Sequence, residues 1–327
     1  MKQTIAPIEC LFEDRGEILK DSLEHNPSQT IQGVTIDQRG VTLREDGYQV
    51  STTEIDGVFS LQGIFVDGTQ LWRDPTLLRQ AGENVSSLYD GSEGVGPLVR
   101  PMVDRKLCER LGLQSSTANR ALVAEVKIDL DGNTHGFNSK LVMAKVKEWT
   151  HEKFGKQLYQ RRHGDIVIDV ARAALKNLGT CMPEQLQDEY VFEDRSKQRF
   201  RSASIIQVCF ANLIYRSFAE HARDNGQKWL YRATETARGA HTSPRLTVDP
   251  LMHRHVDSVY MVISPAFREL EALINQSLAR YYSLGGSPDG IDHELLAAYA
   301  QRINDYHAEQ SASIKPKKAA AVLGKAA

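Results

Sequence analysis

Residues from about 34 to 150 follow the two-residue rhythm of β-strands, and from about residue 140 onward the pattern lengthens to that of helices. VTLREDGYQVSTTEIDGVFSLQGIFVDG is a series of short β-prone runs, broken by Gly47, Gly57 and Gly68 at turn positions. ALVAEVKIDLDGNTHGF continues it, with Asp131-Gly132 placed like a hairpin turn. In SIIQVCFANLIYRSFAEHAR, Ile206, Cys209, Leu213 and Phe218 form one broad helical stripe. SPAFRELEALINQSLARYY predicts a helix with Ser264 as N-cap and Pro265 at its first position. Asp292 is placed to cap a last helix ending near Tyr306. Strands first and covering helices afterwards define an α+β chain. The expected layout is an N-terminal extension over 1–30, a body over 31–306 and a disordered basic, Ala-rich tail over 307–327. No linker rich in Pro, Gly or Ser divides the body.

Composition narrows the classes without choosing among them. No apolar run approaches the roughly 20 residues needed to span a bilayer, and the start has no apolar leader, so a cytoplasmic chain with no membrane partner is expected. Cys10, Cys108, Cys181 and Cys209 are far apart with no CxxC pair, which favours reduced, mostly buried thiols over a disulfide framework or zinc site. The net charge of −2 means that any nucleic-acid surface is local. Arg195, Lys197, Arg199 and Arg201 are candidates, as are Lys315, Lys317 and Lys318, with a solvated face and a loose tail as the open alternatives. GSEGVG at Gly91 to Gly96 lacks the Lys-Ser/Thr ending of a phosphate loop. His253, His255 and Asp257 form only a weak candidate for a metal site. His151-Glu152 lacks the second His of a zinc-protease helix.

VTIDQRGVTLRED, residues 34 to 46, gathers acids in one short stretch. It resembles the signature of the ribonuclease II/R (RNB) catalytic domain, a Thr-Ile-Asp followed by a clustered Asp-x-Asp-Asp. Counting from Asp37, the family's three later acid positions hold Leu43, Glu45 and Asp46. Further segments follow in the family's order. GIFVDGTQLW with Asp67 is similar to its V-H-I-A-D strand, and NVSSLY ending at Tyr89 to its T-S-V-Y-L segment. LVRPM followed by Leu107-Cys108 is similar to its I-P-M and N-L-C-S-L elements. KIDLDG and EWTHEKF correspond loosely to the next strand and its L-T-Y-E-E stretch. GQKWLYRATE is similar to P-x-L-Y-R-V-H-E, and residues 255 to 278 to the segment containing T-S-P-I-R-R-Y. The resemblance covers about residues 31 to 282.

The resemblance implies a single RNB-type catalytic domain, a mixed β-sheet surrounded by helices around an RNA channel, without the OB-type domains that usually flank it. It implies a Mg²⁺-dependent 3′–5′ exoribonuclease, with Mn²⁺ as an alternative ion, releasing mononucleotides from single-stranded RNA. Asp37 and Asp46 fall on metal-binding positions, and Glu45 on a third catalytic acid position. Tyr89 falls where a ring stacks on a base, and Arg268 lies beside the family's transition-state arginine position. Leu43 in place of an acid, Phe267 in place of that arginine, Glu269 in place of a tyrosine and Gln276-Ser277 in place of His-Arg imply weakened activity. The alternative is an inactive member that binds RNA or a protein partner of unknown identity. On the residues alone, Asp37 and Asp46 are also compatible with surface turn acids beside Gly47, and Tyr89 and Phe267 with core aromatics.

Overall fold

The computed structural model describes residues 5–37, 43–89, 98–151, 153–154, 166–178, 199–234, 245–253 and 258–323; for residues 89, 199–205 and 311–323 it describes the backbone alone. Residues 91–96, Glu152, Cys181, Arg195, Lys197, His255 and Asp257 lie outside the described residues, as do the side chains of Arg199, Arg201, Lys315, Lys317 and Lys318.

Five strands close into a barrel. In order around it they are β1 (Thr30–Asp37), β2 (Asp46–Thr52), β3 (Val58–Val66), β6 (Asn119–Asp129) and β7 (Thr134–Thr150). Neighbours are antiparallel except β1 and β7, which run parallel and close the ring at eight registered positions. The mixed sheet expected from the sequence is therefore closed on itself, with helices outside. Two short ribbons lie apart from it: β4 (Leu88–Tyr89) with β5 (Leu98–Arg100), and β8 (Tyr231–Ala233) with β9 (Arg245–Thr247).

The strand period sorts residues into two cores. Ile64, Ala121, Val123, Val142, Ala144 and Val146 pack together on the inner face, where a five-strand ring leaves room for small and branched side chains only. Gly33 shares that face: a Cβ there would meet Ile64 Cδ1 at 2.2 Å. Leu61, Phe65, Leu122, Ala124 and Val126 point outward against helices α4 (Ile166–Leu178) and α5 (Arg199–Asp224). The shorter helices α1 (Glu17–Asp21), α2 (Pro75–Asn84) and α3 (Arg105–Leu111) precede these. Leu11, Leu19 and Leu23 belong to the same outer core, so the segment before residue 30 packs against the body.

Helix α6 (Leu270–Ser283) is buried on almost every side. Its polar residues are therefore all engaged. Asn275 accepts from the Leu230 N–H at 3.1 Å and donates to the carbonyls of Leu230 and Val262. Trp72 Nε1 donates to Ser277 Oγ, and Gln276 Oε1 accepts from the Gly68 N–H.

Three sequence expectations change. The helical region does not begin near 140, because β7 runs to Thr150 and its last eight residues pair with β1. Helix α6 starts at Leu270 and not at Pro265; residues 265–268 form a turn after a cis Ser264-Pro265 bond, and the Leu270 N–H is taken by Val85 O. The last helix, α7 (His293–Leu323), passes Tyr306 and reaches Leu323, within the segment expected to be a disordered tail. Pro316 lies within it, at the cost of one backbone hydrogen bond. The Asp131-Gly132 turn joins β6 to β7, with Gly132 at φ 91°. Cys10, Cys108 and Cys209 are free, and burial pushes the Cys108 and Cys209 thiols up to about 12, so both stay protonated. Among the described residues no helix is long and apolar enough to cross a membrane.

Candidate acidic site at the barrel end

β1 ends at Asp37 and β2 begins at Asp46, so the two carboxylates stand at one end of the barrel, flanking the β1–β2 seam. Asp37 Oδ2 is buried and, among the described residues, meets no hydrogen-bond donor in good geometry. Among the described residues the cation paired with it is Arg44, whose Nε lies 3.8 Å away while its other end holds Glu148 at 2.9 Å. Burial, and next the negative charge of Asp46, push the Asp37 carboxyl up to about 7, against the opposing pull of Arg44 and, more weakly, of the Thr35 hydroxyl and Arg268. A buried carboxylate oxygen without a donor, beside a second acid, is under-neutralised and can be relieved by a proton or a cation.

Asp46 is held more firmly. Its Oδ2 accepts from Tyr48 Oη at 3.2 Å and from Gln207 Nε2 at 3.1 Å. Burial, then the charge of Asp46, raise the Tyr48 phenol well above its ordinary range, so it remains a donor. Gln207 reaches in from α5, and its Oε1 lies 3.3 Å from His151 Nε2. Because the amide nitrogen faces a carboxylate, the amide oxygen faces the imidazole, which places a proton on Nε2. Burial lowers the His151 pKa.

Glu45 is adjacent in sequence but turned away from this pair. Its side chain is fully buried; one oxygen accepts the Phe267 N–H at 2.7 Å and the other pairs with Arg268 Nε. The acid expected as a third site member therefore anchors the 264–268 turn. Arg268, expected to meet RNA, is engaged with Glu45. Phe267 is 1% exposed and belongs to the core. Tyr89 lies in β4, opposite Leu98, with its side chain outside the description. Asp67 bridges to Arg120 at 2.9 Å within the core and caps the turn at Thr69.

The acid pair fits a divalent cation of the hard, oxygen-preferring kind. Mg²⁺ is commonly held by one or two carboxylates with water and phosphate oxygens completing its shell. Asp37 offers an unpartnered oxygen, and the donors to Asp46 all converge on Oδ2. Among the described residues no group of three or more His, Cys, Asp or Glu side chains is arranged to hold a metal, so the protein's share would be these two. Asp37 and Asp46 were visible in the sequence through the family's order. Gln207 carried no signal there, because an amide on an amphipathic helix is ordinary, and its partner lies 161 positions away.

A closed five-strand barrel covered by helices, with two acids at one end, is a fold this chain shares with solved exoribonuclease structures. Mycoplasma genitalium RNase R in complex with ribose methylated single-stranded RNA superposes with a TM-score of 0.70 at 15% identity, over 87% of this chain and 56% of that one. Dss1 exoribonuclease from Candida glabrata, as an active-site mutant, gives a TM-score of 0.68 at 14% identity, over 86% of this chain and 44% of that one. Mycoplasma genitalium RNase R in complex with double-stranded RNA gives 0.64 at 15% identity, over 88% and 64%. The chain thus spans about half the length of the first two. No protein-family model and no curated protein sequence matches the chain.

Proposed function

We propose that this chain is a phosphodiester hydrolase of the exoribonuclease type, acting on single-stranded RNA with Mg²⁺, or Mn²⁺, taken between Asp37 and Asp46. The observation that carries the reading is the unpartnered, buried Asp37 oxygen beside a second carboxylate, at the barrel end of a fold shared with RNase R and Dss1. A divalent cation held there would supply charge neutralisation at the phosphate and a more acidic water. The chain's own residues do the rest. Asp37 and Asp46 bind, Tyr48 and Gln207 fix the orientation of Asp46, and Arg44 limits the repulsion that Asp37 experiences. Tyr89 is proposed to stack on a base, a contact worth about 1–3 kcal/mol.

The same residues argue for slow turnover. Leu43 adds no charge, Glu45 is tied to Phe267 and Arg268, and Phe267 presents a buried ring at the family's arginine position. Losing one preorganised electrostatic contact typically costs about 10²–10³ in rate. That locked Glu45 also favours a second reading, an RNA-binding protein that does not cut.

Incubation of end-labelled single-stranded RNA with the protein and Mg²⁺ or Mn²⁺, beside Asp46→Asn, separates the two. Mononucleotide release that the variant loses supports the hydrolase. RNA retained on a filter without product from either protein supports the binding module, and no retention at low salt removes both.

A further inference from the structure

The outer face of the β1–β2 seam holds a cavity of about 240 Å³ that the acid pair does not use. It exists because the barrel closes loosely there: β1 and β2 register at Val34–Tyr48 alone, whereas β1 and β7 register at eight positions. Strand register then fixes the neighbourhood. Ile36 of β1 stands opposite Trp149 of β7, and two residues along each strand from the Val34–Tyr48 pair Asp46 comes level with Ile36. Asp46, Ile36 and Trp149 thus lie in one row on one face.

We propose that this cavity is a nucleobase pocket, seating one base of the single-stranded RNA beside the acid pair; it rests on the functional reading above. Its walls are aromatic. Tyr48, Trp149, Phe154 and Phe210 line it, with Trp149 and Phe154 ring centroids 5.7 Å apart. Rings stack on bases irrespective of sequence. Its rim is polar: Gln32, on the same face of β1 as Val34 and Ile36, lines it, and among the described residues its side chain makes no hydrogen bond, which leaves an amide donor and acceptor for the edge of a base. Its mouth is basic. Lys147 lines it, Lys145 is exposed on the same strand face, and Lys153 Nζ lies 6.0 Å from the Trp149 ring. A cavity below the roughly 300–1,000 Å³ of drug-sized sites suits one ring system with its phosphate outside. Tyr48 joins the two sites, lining the pocket with its ring while its hydroxyl binds Asp46.

Tryptophan fluorescence reads this pocket directly. Of the three tryptophans, Trp72 and Trp229 are 1% exposed, so a stacked ligand reports through Trp149. The full chain is titrated with adenosine 5′-monophosphate and with adenosine, in a chelator so that no cation contributes. Saturable quenching by both is expected, with adenosine about threefold weaker because it lacks the lysine-facing phosphate. Lys147→Gln should bring the nucleotide towards the nucleoside's affinity, and Val34→Phe, which fills the cavity, should weaken both by about tenfold. Lys147→Gln changes an exposed side chain and keeps the test sound should Val34→Phe not fold. Absence of quenching, or displacement of the nucleotide by an equal concentration of benzenesulfonate, overturns the pocket. The two proposals fail separately: RNA cleavage without quenching removes the pocket alone, and quenching without cleavage in either metal removes the hydrolase alone.

Discussion

Glu45 shows how one acid in a cluster can have a separate task. It is fully buried, with a backbone N–H on one oxygen and a half-buried guanidinium on the other. Removing one partner of a buried, hydrogen-bonded charge pair commonly costs about 3–5 kcal/mol, and the partial exposure of Arg268 puts this pair at the low end. Glu45→Ala is therefore expected to lose about 3 kcal/mol in urea unfolding; a loss of under about 1 kcal/mol would show that the anchor is not structural. Asp37 predicts a pH effect of definite sign. Between its ordinary 3.8 and about 7, the folded chain keeps a proton that the unfolded chain has released, so stability is lost as pH rises through that window. Tm without added cation should be lower at about pH 8 than at about pH 5, and Asp37→Asn should remove that part of the difference. Mg²⁺ should raise Tm at the higher pH only, when both acids are charged. A wild-type and Asp37→Asn pair with the same pH slope would contradict this. The sequence brought out Asp37 and Asp46 because their order and separation are local. It did not show that Glu45 belongs elsewhere, because its partners are 222 and 223 positions away.

At the scale of elements, the acids are placed by where strands stop. β1 pairs with β7 through Asp37 and Thr150, the last residues of both strands, and β2 opens at Asp46. The strand-rich first half and the Asp131-Gly132 hairpin were readable because alternation and turn chemistry are local. The end of β7 was not, because its partner β1 lies more than 100 residues earlier. The start of α6 was misplaced for a similar reason: Ser264-Pro265 has the chemistry of a helix start, but the N–H groups that follow are claimed by Glu45 and Val85. Asn275 makes the strongest prediction at this scale. It ties α6 to the strand-like segment around Leu230 and to Val262 through three buried hydrogen bonds. Each such bond is worth about 1 kcal/mol, and the stranded groups cost more, so Asn275→Ala should destabilise by about 2–4 kcal/mol. Circular-dichroism unfolding checks this, and an unchanged midpoint would contradict it.

Across the whole molecule, a net charge of −2 leaves no general attraction for a polyanion. The binding to single-stranded RNA proposed above would then rest on a few local cations, and its salt dependence should be shallow. If Lys145, Lys147 and Lys153 are the contacts, the slope of log K against log salt should be about −2. Filter binding across a salt series measures it, and a slope steeper than about −5 would require a basic surface elsewhere. The class of fold was readable from the order of weak matches along the chain, each too short to decide alone. The closed barrel was not, since closure depends on β1 meeting β7 in parallel and nothing in either strand announces its partner. The central claim is that Asp37 and Asp46 together take a divalent cation. Electron paramagnetic resonance of Mn²⁺, titrated with the full chain, tests it most directly, because bound ion leaves the free-ion spectrum. One ion bound per chain, lost in Asp37→Asn and in Asp46→Asn but kept in Glu45→Gln, is the expected result; equal binding by the wild type and both aspartate variants, or none by the wild type, would contradict it.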